Sequence, residues 1–395
     1  MTRVFSLTTA GALCATFCAT LMTSTAAAQG TVSAQGFGYP TGQLSTRAFG
    51  TGGGISEFDG RSPINPAALA IGTFGIEVYG QYEPELRTIE GPNGKSTTTT
   101  SRFPNLGIIV PLGRKMVMGL SASTFLDRTW ATQSTRTQNI LDSVVTSNET
   151  LKSQGGITDL QLGVGYAFTS FFRLGVAGHY YTGDNSIQLL QQFPDTQSFS
   201  NISQISKLNF SGSAVSAGFE FDLPAGINVA GSGRIGNRIT MSSSDTLHAD
   251  GSEPDTALSH GKIPKNYAIS LGYSGIPGTF VAVRYGVDQW QSMQSLSLAG
   301  ATAVQTHDLS FGVESTGPKT GSQAIVVRLG ARFRTLPFQV AGATVNERGF
   351  GGGLGLPIAA GRAMLDIGLL RNSRTGVSGV TENAYNLSFG LRVHP

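Results

Sequence analysis

Three observations predict an all-β fold, a transmembrane antiparallel β-barrel of about 14 strands with an N-terminal plug inside the lumen. Apolar residues alternate with small or polar ones in run after run, as in Ile157 to Gly183. The connections between runs alternate strictly between short and long. The composition is poor in charge and rich in glycine, with 13% Asp, Glu, Lys and Arg against roughly a quarter in soluble domains, and 53 glycines in 395 residues.

Residues 1–28 read as a Sec signal peptide: Arg3 precedes an apolar stretch (Ala10 to Leu21), and Ala26, Ala27 and Ala28 form a small-residue cleavage site. Both cysteines, Cys14 and Cys18, fall in this segment, so the exported chain carries no disulfide and no thiol chemistry. No later window holds about 18 uninterrupted apolar residues, which excludes a membrane-spanning helix.

The alternating runs are Phe74 to Tyr82, Phe103 to Val110, Lys115 to Leu126, Ile157 to Phe168, Phe172 to Thr182, Leu208 to Phe221 and Ile227 to Gly236. They continue with Asn266 to Tyr273, Phe280 to Val287, His307 to Glu314, Ala324 to Arg334, Phe350 to Leu356, Met364 to Leu370 and Tyr385 to Val393. Short turns such as Pro111 to Lys115 and Asp222 to Gly226 separate long polar segments, among them Glu83 to Arg102, Asp127 to Gly156 and Gly183 to Lys207. A barrel places tight turns at one membrane face and long loops at the other, whereas a soluble sandwich has no reason to sort them. The apolar faces end in Tyr82, Phe168, Tyr180, Tyr267, Tyr273, Tyr285, Phe311, Phe333 and Tyr385, as interfacial girdles require. The opposite face mixes Gly, Ala and Ser with Glu77, Gln161, Glu220, Arg284, Glu314, Arg328, Arg332 and Asp366, which suits a polar interior. These features assign the chain to the bacterial outer membrane.

Fourteen strands enclose a lumen too wide for wall side chains alone to fill, so an open channel or a plug is expected. Residues 29–72, rich in Gly, Ser and Pro, are the candidate plug, with residues 73–395 as the barrel; a disordered extension is the other reading. Within that segment Ser45 to Ala70, STRAFGTGGGISEFDGRSPINPAALA, resembles the N-terminal hatch of FadL-type outer-membrane transporters of long-chain fatty acids and other hydrophobic compounds. The match rests on Arg47, Ala48, Gly50, Gly52, Gly53, Asp59, Asn65, Pro66 and Ala67, with Arg61 beside them; Arg334 to Pro357 carries a looser likeness. The chain departs from the family pattern at Ala68-Leu69, where a glycine is usual, and at the terminal Pro395. The resemblance implies a fourteen-stranded barrel and passive transport: capture of an apolar ligand at outer loops, a hatch rearrangement, and exit by diffusion.

For ligand capture the candidates are Ile187, Leu189, Leu190 and Phe193, apolar residues in an otherwise polar connection; packing of the loop on its neighbours is the alternative. Ile140, Leu141, Val144 and Val145 carry the same ambiguity. Arg284, Arg328, Arg332 and Arg392 could meet a ligand carboxylate, or pair with Glu77, Glu220, Glu314 and Asp366 across the wall. An accessory barrel that binds a secretion or surface partner is the competing function, and an open porin a third.

Enzyme signatures are lacking: no G-x-S-x-G or H-E-x-x-H occurs, and His307 and Asp308 must face opposite sides of a strand. No catalytic residue, metal site or cofactor is expected, and the acidic loop residues Asp245, Asp250, Glu253 and Asp255 lack a regular calcium spacing. A net charge of +3 with scattered Lys and Arg argues against nucleic acid. The expected partners are outer-membrane lipids, a hydrophobic small molecule and the barrel-assembly machinery during biogenesis, with the protein itself a monomer.

Overall fold

The computed structural model describes residues 38–71, 75–91, 94–140, 143–194, 199–244, 256–297, 301–320, 323–340, 342–377 and 379–394. The expected signal peptide, the start of the candidate plug and the acidic residues of 245–255 lie outside them.

A closed antiparallel barrel of fourteen strands forms the body. After a short strand β1 (Tyr39–Pro40) come β2 (Glu77–Gly91), β3 (Gly94–Pro111), β4 (Met116–Asp127), β5 (Trp130–Ile140), β6 (Ser143–Ala167), β7 (Phe172–Gln192), β8 (Ile202–Leu223) and β9 (Ile227–Ser244). Then follow β10 (Thr256–Lys262), β11 (Asn266–Ile276), β12 (Thr279–Gln289), β13 (Thr302–Ala303), β14 (Gln305–Thr320), β15 (Gln323–Val340), β16 (Ala343–Ile358), β17 (Ala363–Val377) and β18 (Val380–Val393). β5 and β10 lie on β6 and β9 beyond the ends of β4 and β11, and β13 adds two residues to β15. The ring closes where β18 pairs with β2, from Thr381 opposite Glu90 to Val393 opposite Val78. Closure leaves no backbone edge in hydrocarbon, where an unpaired amide has no water to bond.

Each of the fourteen runs read from the sequence lies on a strand of the ring, and the side-chain period puts the two faces where the alternation predicts. Leu162 (53% exposed), Val176 (63%) and Leu329 (63%) point outward, as do all nine girdle aromatics, while Arg328, Asp366, Glu220 and Gln161 are buried inside. The face that touches lipid is therefore the apolar one.

One expectation needs correction. Glu83 to Arg102, Asp127 to Gly156 and much of Gly183 to Lys207 are not loops but continuations of the strands as β-hairpins. Water bathes the outside of these extensions, so Thr, Ser and Gln replace the apolar residues that make a strand visible, as in the run Thr97 to Thr100. β6 is 25 residues long, roughly 80 Å at ~3.4 Å per residue, against a hydrocarbon core of roughly 30 Å.

The described part of the N-terminal segment lies inside the ring. It starts at the level where the long hairpins begin, with Tyr39 and Pro40 paired to Asp127 and Leu126 of β4. β3 follows β4 only as far as Asn105 opposite Ser123, so β1 takes the edge that β3 vacates. The segment then descends past a one-turn helix α1 (Thr46–Phe49) and a 3-10 turn at Ser56–Phe58 to a second at Pro66–Ala70 near the short-turn end.

Candidate functional site in the barrel lumen

Close approach explains the inward glycines. Pro66 and Ala67 lie against Gly175, and Asn65 against Gly218, so closely that a Cβ at either glycine would overlap them. Thr51 lies against Gly330 in the same way, and a Cβ at Gly312 would stand 2.7 Å from that of Thr51. Gly353 of the Gly349 to Gly355 run accommodates Gly50. The small residues of the wall are a mould for the segment, and packing at this density leaves no slack for an added methyl. Phe49, Ile55 and Phe58 bury their side chains with Leu44, Ala230, Ala282 and Leu370. Phe58 meets Phe280 edge to face at 5.2 Å, and Leu69 packs with Ile109 and Val117.

Ion pairs complete the docking, and the resemblance-derived residues carry much of it. The Arg47 guanidinium donates to both oxygens of Glu314 (2.7 and 2.9 Å) and reaches Asp59 at 3.5 Å. Asp59, fully buried, also accepts from Arg61 (3.2 Å), Ser62 (3.3 Å) and Ser45. Arg61 spans to Glu77 at the start of β2 (2.6 Å). Burial alone would raise the Asp59 carboxyl, but the Arg47 and Arg61 charges outweigh it and hold the group below its ordinary value. Asn65 accepts from Ala67 N (3.0 Å), capping the 3-10 turn that Pro66 opens, and donates to the carbonyls of Glu57 (2.9 Å) and Phe219 (3.3 Å).

Sequence reasoning did not single out the upper anchor. The Tyr39 ring sits beneath three guanidinium groups, those of Arg374 (4.5 Å), Arg334 (4.9 Å) and Arg102 (5.5 Å), and its hydroxyl donates to Glu347 (2.9 Å). Glu85, Glu347 and Glu382 neutralise Arg374, which is wholly buried. Gln43 donates to Ser123 (2.7 Å) and Asp159 (2.9 Å). Asp159 in turn receives His179 Nδ1 (3.0 Å), whose Nε2 meets Ser216 Oγ (2.8 Å). This Asp–His–Ser chain ties β6, β7 and β8 together. His307 faces outward to the Tyr285 hydroxyl (2.7 Å) while Asp308 faces Arg332 inside, as the strand period requires.

The four lumen arginines named from the sequence are all engaged by acids. Arg284 pairs with Glu57 (3.0 Å), Arg328 with Glu314 (2.7 Å) and Asp366 (2.6 Å), Arg332 with Asp308, and Arg392 with Asp366 (3.9 Å). Of the eight buried arginines among the described residues, seven have a carboxylate within ion-pair distance; Arg128 does not. Ile187, Leu189 and Leu190 belong to β7 rather than to a loop, with Ile187 packed against the upper apolar cluster, and Phe193 is buried on Phe199 at 5.4 Å. A cavity of about 80 Å³ opens among Gln43, His179, Ser216, Arg234, Arg284 and Asp308. Small-molecule sites usually offer about 300–1,000 Å³. Among the described residues no group of three His, Cys, Asp or Glu is placed to hold a metal.

Solved structures with this architecture include a Pseudomonas aeruginosa FadL homologue (12% identical, TM-score 0.62, covering 91% of this chain and 99% of that one). The Pseudomonas putida toluene transporter TodX is 13% identical with a TM-score of 0.54, covering 92% and 99%. The CymD monoaromatic hydrocarbon channel is 12% identical with a TM-score of 0.51, covering 89% and 97%. At such identities the likeness speaks for the fold. No curated protein matches the sequence. The BamG family model matches residues 12–394, nearly the whole length, and the chain is a member of the BamG family.

Proposed function

We propose that this protein is a passive outer-membrane channel for hydrophobic compounds, held closed by a hatch made of residues 29–72. The observation that carries the reading is the seating of the N-terminal segment, which reaches from the long-hairpin end to the short-turn end on a glycine mould and buried ion pairs. Solved barrels of the same fold are described as a toluene transporter and a monoaromatic hydrocarbon channel, which supports apolar cargo in general. Partitioning supplies the driving force, at about 0.8 kcal/mol per methylene removed from water. Leu189 and Leu190, half-buried on β7, serve as first contacts at the mouth in this scheme, with Ile187 and Phe193 packed inward beside them. Passage requires the hatch to shift, because the cavity of about 80 Å³ is too small for such a ligand.

The same small cavity favours a second reading, an accessory barrel whose lumen is filled for rigidity and whose long hairpins engage a secretion or surface partner. Exposed apolar residues on those extensions, Val144 (73%), Ile202 (49%) and Ile205 (53%), suit it. Uptake into proteoliposomes decides. The channel reading expects entry of labelled toluene or dodecane-class probes that rises several-fold above empty vesicles and falls when a disulfide built at Thr46 and Ser388, whose hydroxyls meet at 2.8 Å, pins the hatch to β18. Uptake equal to that of empty vesicles removes the channel reading and leaves the accessory one.

A further inference from the structure

The chain from Asp159 through His179 to Ser216 carries its protons in a defined order. Both Asp159 oxygens lie 3.0 Å from His179 Nδ1, and an ionised carboxylate can only accept, so the imidazole proton sits on Nδ1. Nε2 is left as the acceptor for the Ser216 hydroxyl at 2.8 Å. Gln43 of the N-terminal segment donates to Asp159 as well (2.9 Å) and fixes the carboxylate. The backbone ladders of β6, β7 and β8 already pair these strands, so wall stability does not require the chain.

The order of burial fits a reaction centre. Asp159 is wholly buried, while His179 and Ser216 line the same cavity as Arg234. Arg234 stands opposite Ser216 in the β8–β9 register, which sets their Cβ atoms about 5 Å apart. Its guanidinium is held by Gln43 Oε1 (3.4 Å), Asp288 (3.7 Å) and the Phe125 ring (5.1 Å), and its buried Nε donor has no acceptor. A fixed cation with a spare N–H, beside a serine that faces a histidine, is suited to stabilise an oxyanion. Sequence spacing hides the arrangement, because the members stand 20 and 37 residues apart on three strands.

We propose that Ser216, His179 and Arg234 form a serine esterase site for short acyl esters, with Asp159 and Gln43 as positioning residues. Ser216 Oγ attacks the ester carbonyl while His179 Nε2 takes its proton, and Arg234 Nε–H meets the oxygen that becomes negative. The bond from carbonyl carbon to alkoxy oxygen then breaks, His179 passes the proton to the departing alcohol, and the acyl group stays on Ser216 Oγ. Water, deprotonated by His179, attacks that acyl carbon; the carboxylic acid leaves and the proton returns to Oγ. The cavity of about 80 Å³ exceeds several-fold the ~10–15 Å³ that one water needs, which admits an acetyl or propionyl group and excludes a long chain. The activity depends on neither the channel nor the accessory reading.

The test uses full-length protein in amphipol with p-nitrophenyl acetate and p-nitrophenyl dodecanoate. Acid quench followed by peptide mass spectrometry is expected to find an acetyl group on Ser216 of the wild type, a result that needs no variant. Acetate ester turnover should exceed that of Ser216→Ala at least about tenfold, with the variant's folding checked by heat-modifiable gel mobility, and should exceed dodecanoate turnover by a similar factor. Asp159→Asn should lower kcat at least about a hundredfold with KM unchanged, a split that loss of packing alone would not give. No acetyl group on Ser216 of the wild type, or equal turnover in Ser216→Ala, would overturn the proposal and leave the chain as a structural tie.

Discussion

The two ends of the N-terminal segment are held by different physics. At the upper end Tyr39 is gripped by charge, a phenol beneath three guanidiniums inside a lattice of buried acids. At the lower end Asn65 to Ala70 is held by shape, the backbone of Pro66, Ala67 and Ala70 lying directly against Gly165 and Gly175. Shape is all or none, since a well-packed contact tolerates no extra atom, whereas an electrostatic grip can be graded by protonation and by single hydrogen bonds. A hatch built this way should loosen at its top before its foot.

Overfilling the mould should have the largest effect. Gly175→Leu sets a side chain where Pro66 lies, and the ~1–3 kcal/mol typical of overpacking is a lower bound when the neighbour is backbone. The expected result is a folded barrel, judged by heat-modifiable gel mobility, whose planar-bilayer conductance rises from closed to porin-like; unchanged conductance would break the claim that shape holds the foot. Next in size is Arg374→Ala, which leaves Glu85, Glu347 and Glu382 buried around a missing cation. A loss of about 3–5 kcal/mol is expected in chemical denaturation. Tyr39→Leu keeps the volume and removes the ring and hydroxyl, for an expected 1–3 kcal/mol, roughly, and a hatch whose upper amides exchange faster while those of Asn65 to Ala70 stay protected. Equal loosening at both ends would show the two grips to be coupled.

The smallest effect is that of acid. The Asp59 carboxyl titrates lower when docked than when free, so its contribution is whole above the ordinary carboxylate value and fades as pH falls through the lowered one. Hatch protection by hydrogen exchange should be flat from pH 7 to 5 and decline only in stronger acid, and Asp59→Asn should abolish that decline.

The same contrast governs what could be read from the sequence. Lipid-facing positions alternate visibly because one side is hydrocarbon, and Leu160 to Phe168 or Leu387 to Val393 could not serve any other environment. Above the membrane both faces become polar or small, and β5 and the ends of β2 and β3 vanished into apparent loop. Within the lumen, Arg47, Asp59 and Asn65 were found through resemblance, and Arg284, Arg328 and Arg332 through strand parity. Tyr39 and Glu57 were not, because their partners lie far away in the chain: Tyr39 and Glu347 are 308 residues apart, Glu57 and Arg284 227. One signal was available, the recurrence of Gly at inward positions such as Gly163, Gly165 and Gly175, which marks a wall that must admit another backbone.

The seam between β18 and β2 carries a consequence for assembly. The segment that fills the lumen leads directly into β2, and it touches strands on both halves of the ring, Gly175 and Gly218 on one side, Gly330 and Gly353 on the other. A finished ring offers no sideways entry, only its two ends, so seating the segment while the pairing from Thr381 to Val393 with β2 is still open spares so tightly fitted a chain that passage.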